Sequence, residues 1–137
     1  MRRARLLLNC SALIIVLWGI SHLIPTGRVV AGFGAITPDN QKIILMEWIS
    51  EGMTLIFLGG LTAIVTLAGG MWGRLGRLVL LSVAGMLLMM AALTLATGAQ
   101  TALVPIKLCP AVKSLSAVLI VSGVYLSRKR KSSVKAA

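Results

Sequence analysis

Four ionisable side chains stand within or beside long apolar runs of this sequence: His22, Glu47, Glu51 and Lys113. Ionisable groups in such surroundings are costly to bury and often mark routes for protons or polar substrates. Glu47 and Glu51 are four residues apart, which places them one turn apart on one face of a helix. Their like charges repel, and this favours proton uptake by one of them. The chemistry they indicate is therefore proton exchange or the binding of a polar group.

The same residues also suit a purely structural role. Lys113 can neutralise one glutamate and His22 can hydrogen-bond to the other, which would hold several helices together. Glu47 is close enough to water to need no partner. Because an ionisable residue inside a membrane is either functional or paired, the sequence leaves both interpretations open. Of the four residues, Glu51 is expected to matter most.

The sequence gives weaker signals for a metal site, a cofactor site or a reactive cysteine. His22 is the only histidine, and the glutamates lack the Glu-x-x-His spacing of carboxylate metal bundles, so no metal site is expected. No cofactor can be named. Cys109 stands between Leu108 and Pro110 and is predicted to serve packing, because no base that could activate the thiol is evident beside it.

Composition indicates a membrane protein. Hydrophobic residues make up 58% of the 137 positions and charged residues 12%, whereas soluble domains carry roughly 25% charged residues. A chain this short could not bury so much apolar surface in its own interior. The formal net charge is +11, but the basic residues cluster at the ends of apolar runs and aromatic residues are few. The expected partner is therefore the lipid bilayer and not nucleic acid.

Four apolar runs are long enough to cross a bilayer as helices, which takes about 20 residues. They are continuous and do not alternate as the strands of a membrane barrel do. The predicted fold is a single all-α domain, an integral membrane antiparallel four-helix bundle. Its spans are placed at about 6–24, 38–69, 76–98 and 105–127, followed by a basic cytoplasmic tail at 128–137.

The segment that joins the first two spans carries local structure signals. Pro25-Thr26-Gly27 and Gly32-Phe33-Gly34 predict turns. Thr37, Pro38 and Asp39 have the residue types of an N-cap, a first helical position and an acidic first turn. The second long helix is therefore expected to begin near Pro38, outside the bilayer.

Basic residues predict the orientation. Ten of the fourteen Lys and Arg residues precede the first span, separate the second from the third, or follow the fourth. Positive charge is retained in the cytoplasm, so both termini are expected there, in the inner membrane. Counting helical rise from the inner ends then brings His22, Glu47, Glu51 and Lys113 to one depth in the outer leaflet. Polar faces turn toward other helices in lipid, so this polar cluster is expected to face the bundle interior.

The layout of four spans, short loops and a basic tail resembles small prokaryotic four-helix membrane proteins of unknown function, the DoxX-like group among them. The resemblance implies a membrane bundle and transfers no functional residue. Small multidrug transporters also have four spans but carry their key glutamate in the first, where this chain has none. The expected function is transport-related or accessory, and this interpretation is favoured over an enzymatic one. The alternative is a membrane enzyme or a redox-linked, quinone-associated subunit. Because four helices form a thin wall around a pore, transport would call for a homo-oligomer or a larger membrane complex.

Overall fold

The computed structural model of the chain describes residues 2–98 and 104–135, which form helices and contain no strand. The all-α prediction is therefore confirmed for this part of the chain. The loop before the fourth predicted span falls at 99–103, outside the described residues, as do positions 136–137 of the predicted tail. The helices are α1 (Arg2–Leu23), α2 (Thr26–Ala31), α3 (Pro38–Leu67), α4 (Arg74–Ala96) and α5 (Val104–Lys135), and a 3-10 helix spans Gly70–Trp72.

Four of these helices are long and apolar enough to cross a membrane, namely α1, α3, α4 and the part of α5 from Ile106 to Arg128. The helix α3 begins at Pro38, and the Thr37 hydroxyl accepts a hydrogen bond from the Asn40 amide at 3.2 Å. The sequence-based prediction of this helix start and its N-cap is confirmed. With 30 residues, α3 is about 45 Å long, so it exceeds the hydrocarbon thickness of a bilayer.

Glycines allow α1 and α3 to approach each other closely. A Cβ atom on Gly19 would lie 2.9 Å from the Gly52 carbonyl oxygen, and one on Gly59 would lie 2.9 Å from the Ala12 carbonyl oxygen. Such distances are too short for any side chain, so only glycine fits at these crossings. A Cβ on Gly60 would meet nothing within 4 Å, so Gly60 takes no part in this close approach.

The helix α5 packs against both α1 and α4. Ser11 donates a hydrogen bond from its buried hydroxyl to the Ser116 carbonyl at 3.0 Å, which links α1 to α5. Pro110 lies inside α5. Because proline has no amide hydrogen, α5 lacks the hydrogen bond that position 110 would donate to the Ile106 carbonyl.

The segment between α1 and α3 contains more regular structure than its turn signals predicted. The turn at Ile24 and Pro25 leads directly into α2, which packs on α3. The second predicted turn is present after α2, where Gly34 has a φ of 73°. This left-handed conformation suits glycine, because any side chain would be strained there.

Candidate functional site

The centre of the site is an ion pair between α3 and α5. Lys113 is only 1% exposed, and its Nζ donates a hydrogen bond to Oε1 of Glu51. The same Nζ donates to the Thr94 hydroxyl of α4 at 3.0 Å. An ammonium group buried this deeply requires a partner of opposite charge. Three helices are therefore joined at one point by polar contacts.

His22 approaches the same carboxylate from α1. Its Nε2 lies 3.7 Å from Oε2 of Glu51. The imidazole stacks on the Trp48 indole with ring centroids 3.9 Å apart and an interplanar angle of 15°. The Trp48 Nε1 donates to the His22 carbonyl at 2.9 Å, so the backbone and the ring of His22 are both held by α3.

Two polar atoms of this group lack hydrogen bonds. The buried Nε2 of His22 has no hydrogen-bond partner in the described part of the chain. Oε2 of Glu51 accepts no hydrogen bond from any described residue, whereas Oε1 accepts from Lys113 and Cys109. Unsatisfied buried polar atoms such as Nε2 of His22 are uncommon in folded proteins. The Glu51 side chain is 31% exposed, so its Oε2 can accept a hydrogen bond from a bound molecule or from water.

Cys109 also belongs to the site, although the sequence predicted only a packing role for it. Its Sγ accepts a hydrogen bond from the Trp18 Nε1 at 3.3 Å and lies 3.8 Å from Oε1 of Glu51. The spacing to Lys113 was the available signal, because residues four apart share a helix face. The thiol therefore contacts the same carboxylate oxygen that binds Lys113.

The structure brings three of the four predicted polar residues together and leaves the fourth aside. His22, Glu51 and Lys113 are in contact, whereas Glu47 is exposed and forms no ion pair with any described residue. Glu47 precedes Glu51 by one turn of α3. Its hydrated position at the membrane surface stays a prediction.

A cavity of about 550 Å³ opens beside these residues, and its surface is mostly apolar. Glu51 lines it with a side chain that is 31% exposed. The side opposite the long helices is formed by α2 and its flanking residues. The lining includes Trp18, His22, Trp48, Glu51, Thr94, Ile106 and Cys109 from the long helices, and Pro25, Arg28, Val29, Gly32 and Phe33 from the α2 segment.

The size and the lining of the cavity are those of a site for an organic molecule. No group of three histidine, cysteine, aspartate or glutamate residues suited to a metal occurs among the described residues. The cavity volume lies within the range of about 300–1,000 Å³ that is typical of small-molecule sites. Such sites combine apolar walls with a few polar groups that orient the ligand, as this cavity does.

No family model matches the chain, and the comparisons with curated proteins and with solved structures find no match either. The resemblance in layout to the DoxX-like group stays a prediction.

Proposed function

We propose that this chain is a multi-pass inner-membrane protein, transport-related or an accessory subunit, that binds an amphipathic small molecule at its outer-leaflet end. The cavity beside Glu51 is the observation that carries the proposal. Its apolar walls suit the body of such a molecule, and the carboxylate supplies a polar end. The Lys113 ion pair neutralises that carboxylate, so the bound molecule need not be a cation.

The surface of the four long helices supports insertion into a bilayer as an antiparallel bundle. Large apolar side chains are exposed along them, with Phe57 and Leu67 at 66% and 75%. In water such a surface would drive aggregation, whereas in lipid it is satisfied. The pairings of Gly19 with Gly52 and of Ala12 with Gly59 run in opposite directions along α1 and α3, as neighbouring spans of such a bundle would.

The proposed orientation places both termini in the cytoplasm and the cavity on the outer side. Reporter fusions at positions 35 and 73 test it, because the two positions lie at opposite ends of α3. A reporter at 35 should signal the outside and one at 73 the cytoplasm. The reverse result would place the cavity in the inner leaflet and contradict the orientation.

Ligand binding is tested by filling the cavity. Val29→Trp should occupy part of the volume next to α2, and Leu67→Trp places the same side chain at an exposed position far from the cavity. Native mass spectrometry of the two variants and the parent protein in detergent should detect a bound amphipathic species on the parent and on Leu67→Trp. Equal retention by Val29→Trp, or no bound species on any of the three, would contradict the proposal.

Transport can be tested by flux measurements on the protein reconstituted in vesicles. The protein reconstituted in liposomes should move a solute or protons, and cross-linking should detect a dimer or larger assembly under the same conditions, since four helices enclose too little space for a pore. Flux that equals that of empty liposomes would leave the accessory role as the interpretation.

A redox-linked membrane enzyme is the second candidate, and the position of Cys109 favours it. A thiol in contact with Glu51 and Trp18 on a cavity wall could take part in electron or group transfer. This function requires a bound redox-active molecule such as a quinone in the purified protein. A quinone detected by its absorbance and mass, and lost from Val29→Trp, would favour this candidate over transport.

A further inference from the structure

We propose that the cavity binds the head group of an anionic phospholipid that carries free hydroxyls, of the phosphatidylglycerol type. The phosphate would pair with Arg28, and a head-group hydroxyl would donate to the Glu51 carboxylate. This inference rests on the proposed function, since it names the class of amphipathic molecule that the cavity takes.

The charges around the cavity favour an anion. Arg28 lines the cavity and forms no ion pair with the residues that the structure describes. Among the described residues of the lining, Glu51 is the only other charged one, and its charge is already balanced by Lys113. The cavity therefore presents one uncompensated positive charge. The guanidinium group binds phosphate well, because its planar donors match two phosphate oxygens.

Glu51 forms the polar end of the cavity and favours a ligand group that donates a hydrogen bond without carrying a charge. Oε2 of Glu51 lacks a hydrogen bond, so it can accept one from a ligand. A ligand ammonium at this oxygen would be repelled by Lys113, whose Nζ is bound to the other oxygen of the same carboxylate. A hydroxyl donates one hydrogen bond without adding charge. This argument selects a polyol head group over an amine head group.

The walls of the cavity suit the apolar part of a lipid. Trp18, Trp48 and Phe33 line it together with Ile106. Tryptophan is enriched at the level of lipid head groups, where its apolar ring and its N–H group are both accommodated. A phospholipid with its glycerol region between these rings would leave its acyl chains in the bilayer.

A thiol introduced into the cavity lining gives a test that is specific to the cavity. Cys109 lines the cavity but is only 3% exposed, so Ser21→Cys is used to place a thiol at an exposed position of the lining, with the exposed Cys10 of α1 as the control outside the cavity. The protein in lipid-free maltoside micelles is treated with N-ethylmaleimide, and alkylation of each cysteine is followed by peptide mass spectrometry. Phosphatidylglycerol should slow the alkylation at position 21 at least fivefold and leave Cys10 unchanged. Phosphatidylcholine, phosphatidylethanolamine and phosphatidic acid should protect position 21 less.

Variants separate the two proposed contacts. Arg28→Gln should abolish the preference for anionic lipids, whereas Arg77→Gln, a basic residue at the other end of the bundle, should not. The paired substitution Glu51→Met with Lys113→Met should remove the preference for phosphatidylglycerol over phosphatidic acid and keep the preference for anionic lipids over phosphatidylcholine. The pair of changes is used because it leaves no unpartnered charge in the interior.

The outcomes distinguish this inference from the proposed function. If phosphatidylcholine or phosphatidylethanolamine protects position 21 as well as phosphatidylglycerol does, the head-group inference is wrong and the cavity still binds an amphipathic molecule. If phosphatidic acid protects equally well, the hydroxyl contact is wrong. If no lipid protects position 21 while native mass spectrometry still detects a bound species on the parent protein, the head-group inference alone is wrong. If no lipid protects and no bound species is detected, both proposals fail.

Discussion

Replacing either Glu51 or Lys113 should destabilise the protein, and the two substitutions should do so by different amounts. Removing one partner of a buried ion pair costs about 3–5 kcal/mol of unfolding free energy. In Glu51→Gln, Lys113 stays buried but keeps the Thr94 hydroxyl and gains the glutamine carbonyl, so a cost of about 2–3 kcal/mol is expected. In Lys113→Met, the remaining carboxylate is 31% exposed to the cavity, so about 1–2 kcal/mol is expected.

The double variant should recover most of this loss, because neither charge is then left alone. With a remaining cost of about 0–1 kcal/mol, the coupling between the two positions is about 2–5 kcal/mol. Unfolding by sodium dodecyl sulfate in mixed micelles, followed by far-UV circular dichroism, measures all three variants, with Glu47→Gln as the exposed control. Additive losses in the double variant would refute the ion-pair reasoning. Single variants as stable as the parent but inactive would assign Glu51 to function alone.

Three further changes test other contacts by the same unfolding measurement. Gly59→Ala should cost about 1–3 kcal/mol through overpacking, whereas Gly60→Ala, which meets open space, should be neutral or stabilising; equal effects would contradict the close helix crossing. Thr37→Ala should cost about 1 kcal/mol through loss of the N-cap, and Thr37→Ser should restore it. Thr94→Val should cost about 1 kcal/mol by removing an acceptor of Lys113, and an unchanged stability would show that this contact is dispensable.

The long helices could be predicted from the sequence because their signals are local. Apolar runs of about 20 residues, and the Thr37-Pro38 start of α3, depend on neighbouring residues alone. The contact among His22, Glu51 and Lys113 could also be predicted. Helical rise gives the depth of each residue in the membrane, and polar helix faces avoid lipid. The depth of a residue in the membrane and the helix face on which it lies limit which residues it can contact. They do not identify the atoms that are in contact.

The remaining features depend on contacts between distant segments. The stack of His22 on Trp48 requires the crossing of α1 and α3 at Gly19 and Gly52, and no short-range pattern encodes that distance. Cys109 was assigned to packing because its neighbours in sequence are apolar, whereas its contacts come from other helices. The helix α2 was missed because six residues carry too little periodicity to be recognised between turn signals.

Pro110 has a consequence for how the wall of the cavity can move. The missing hydrogen bond weakens α5 between Ile106, which lines the cavity, and Lys113, which is anchored to Glu51 and Thr94. Helices bend most readily at such a position. The N-terminal end of α5 can therefore tilt to admit a bulky molecule from the side while Lys113 holds the rest of the helix in place. Pro110, where α5 bends most readily, and Lys113, which anchors α5 through its ion pair, are thus less than one helical turn apart.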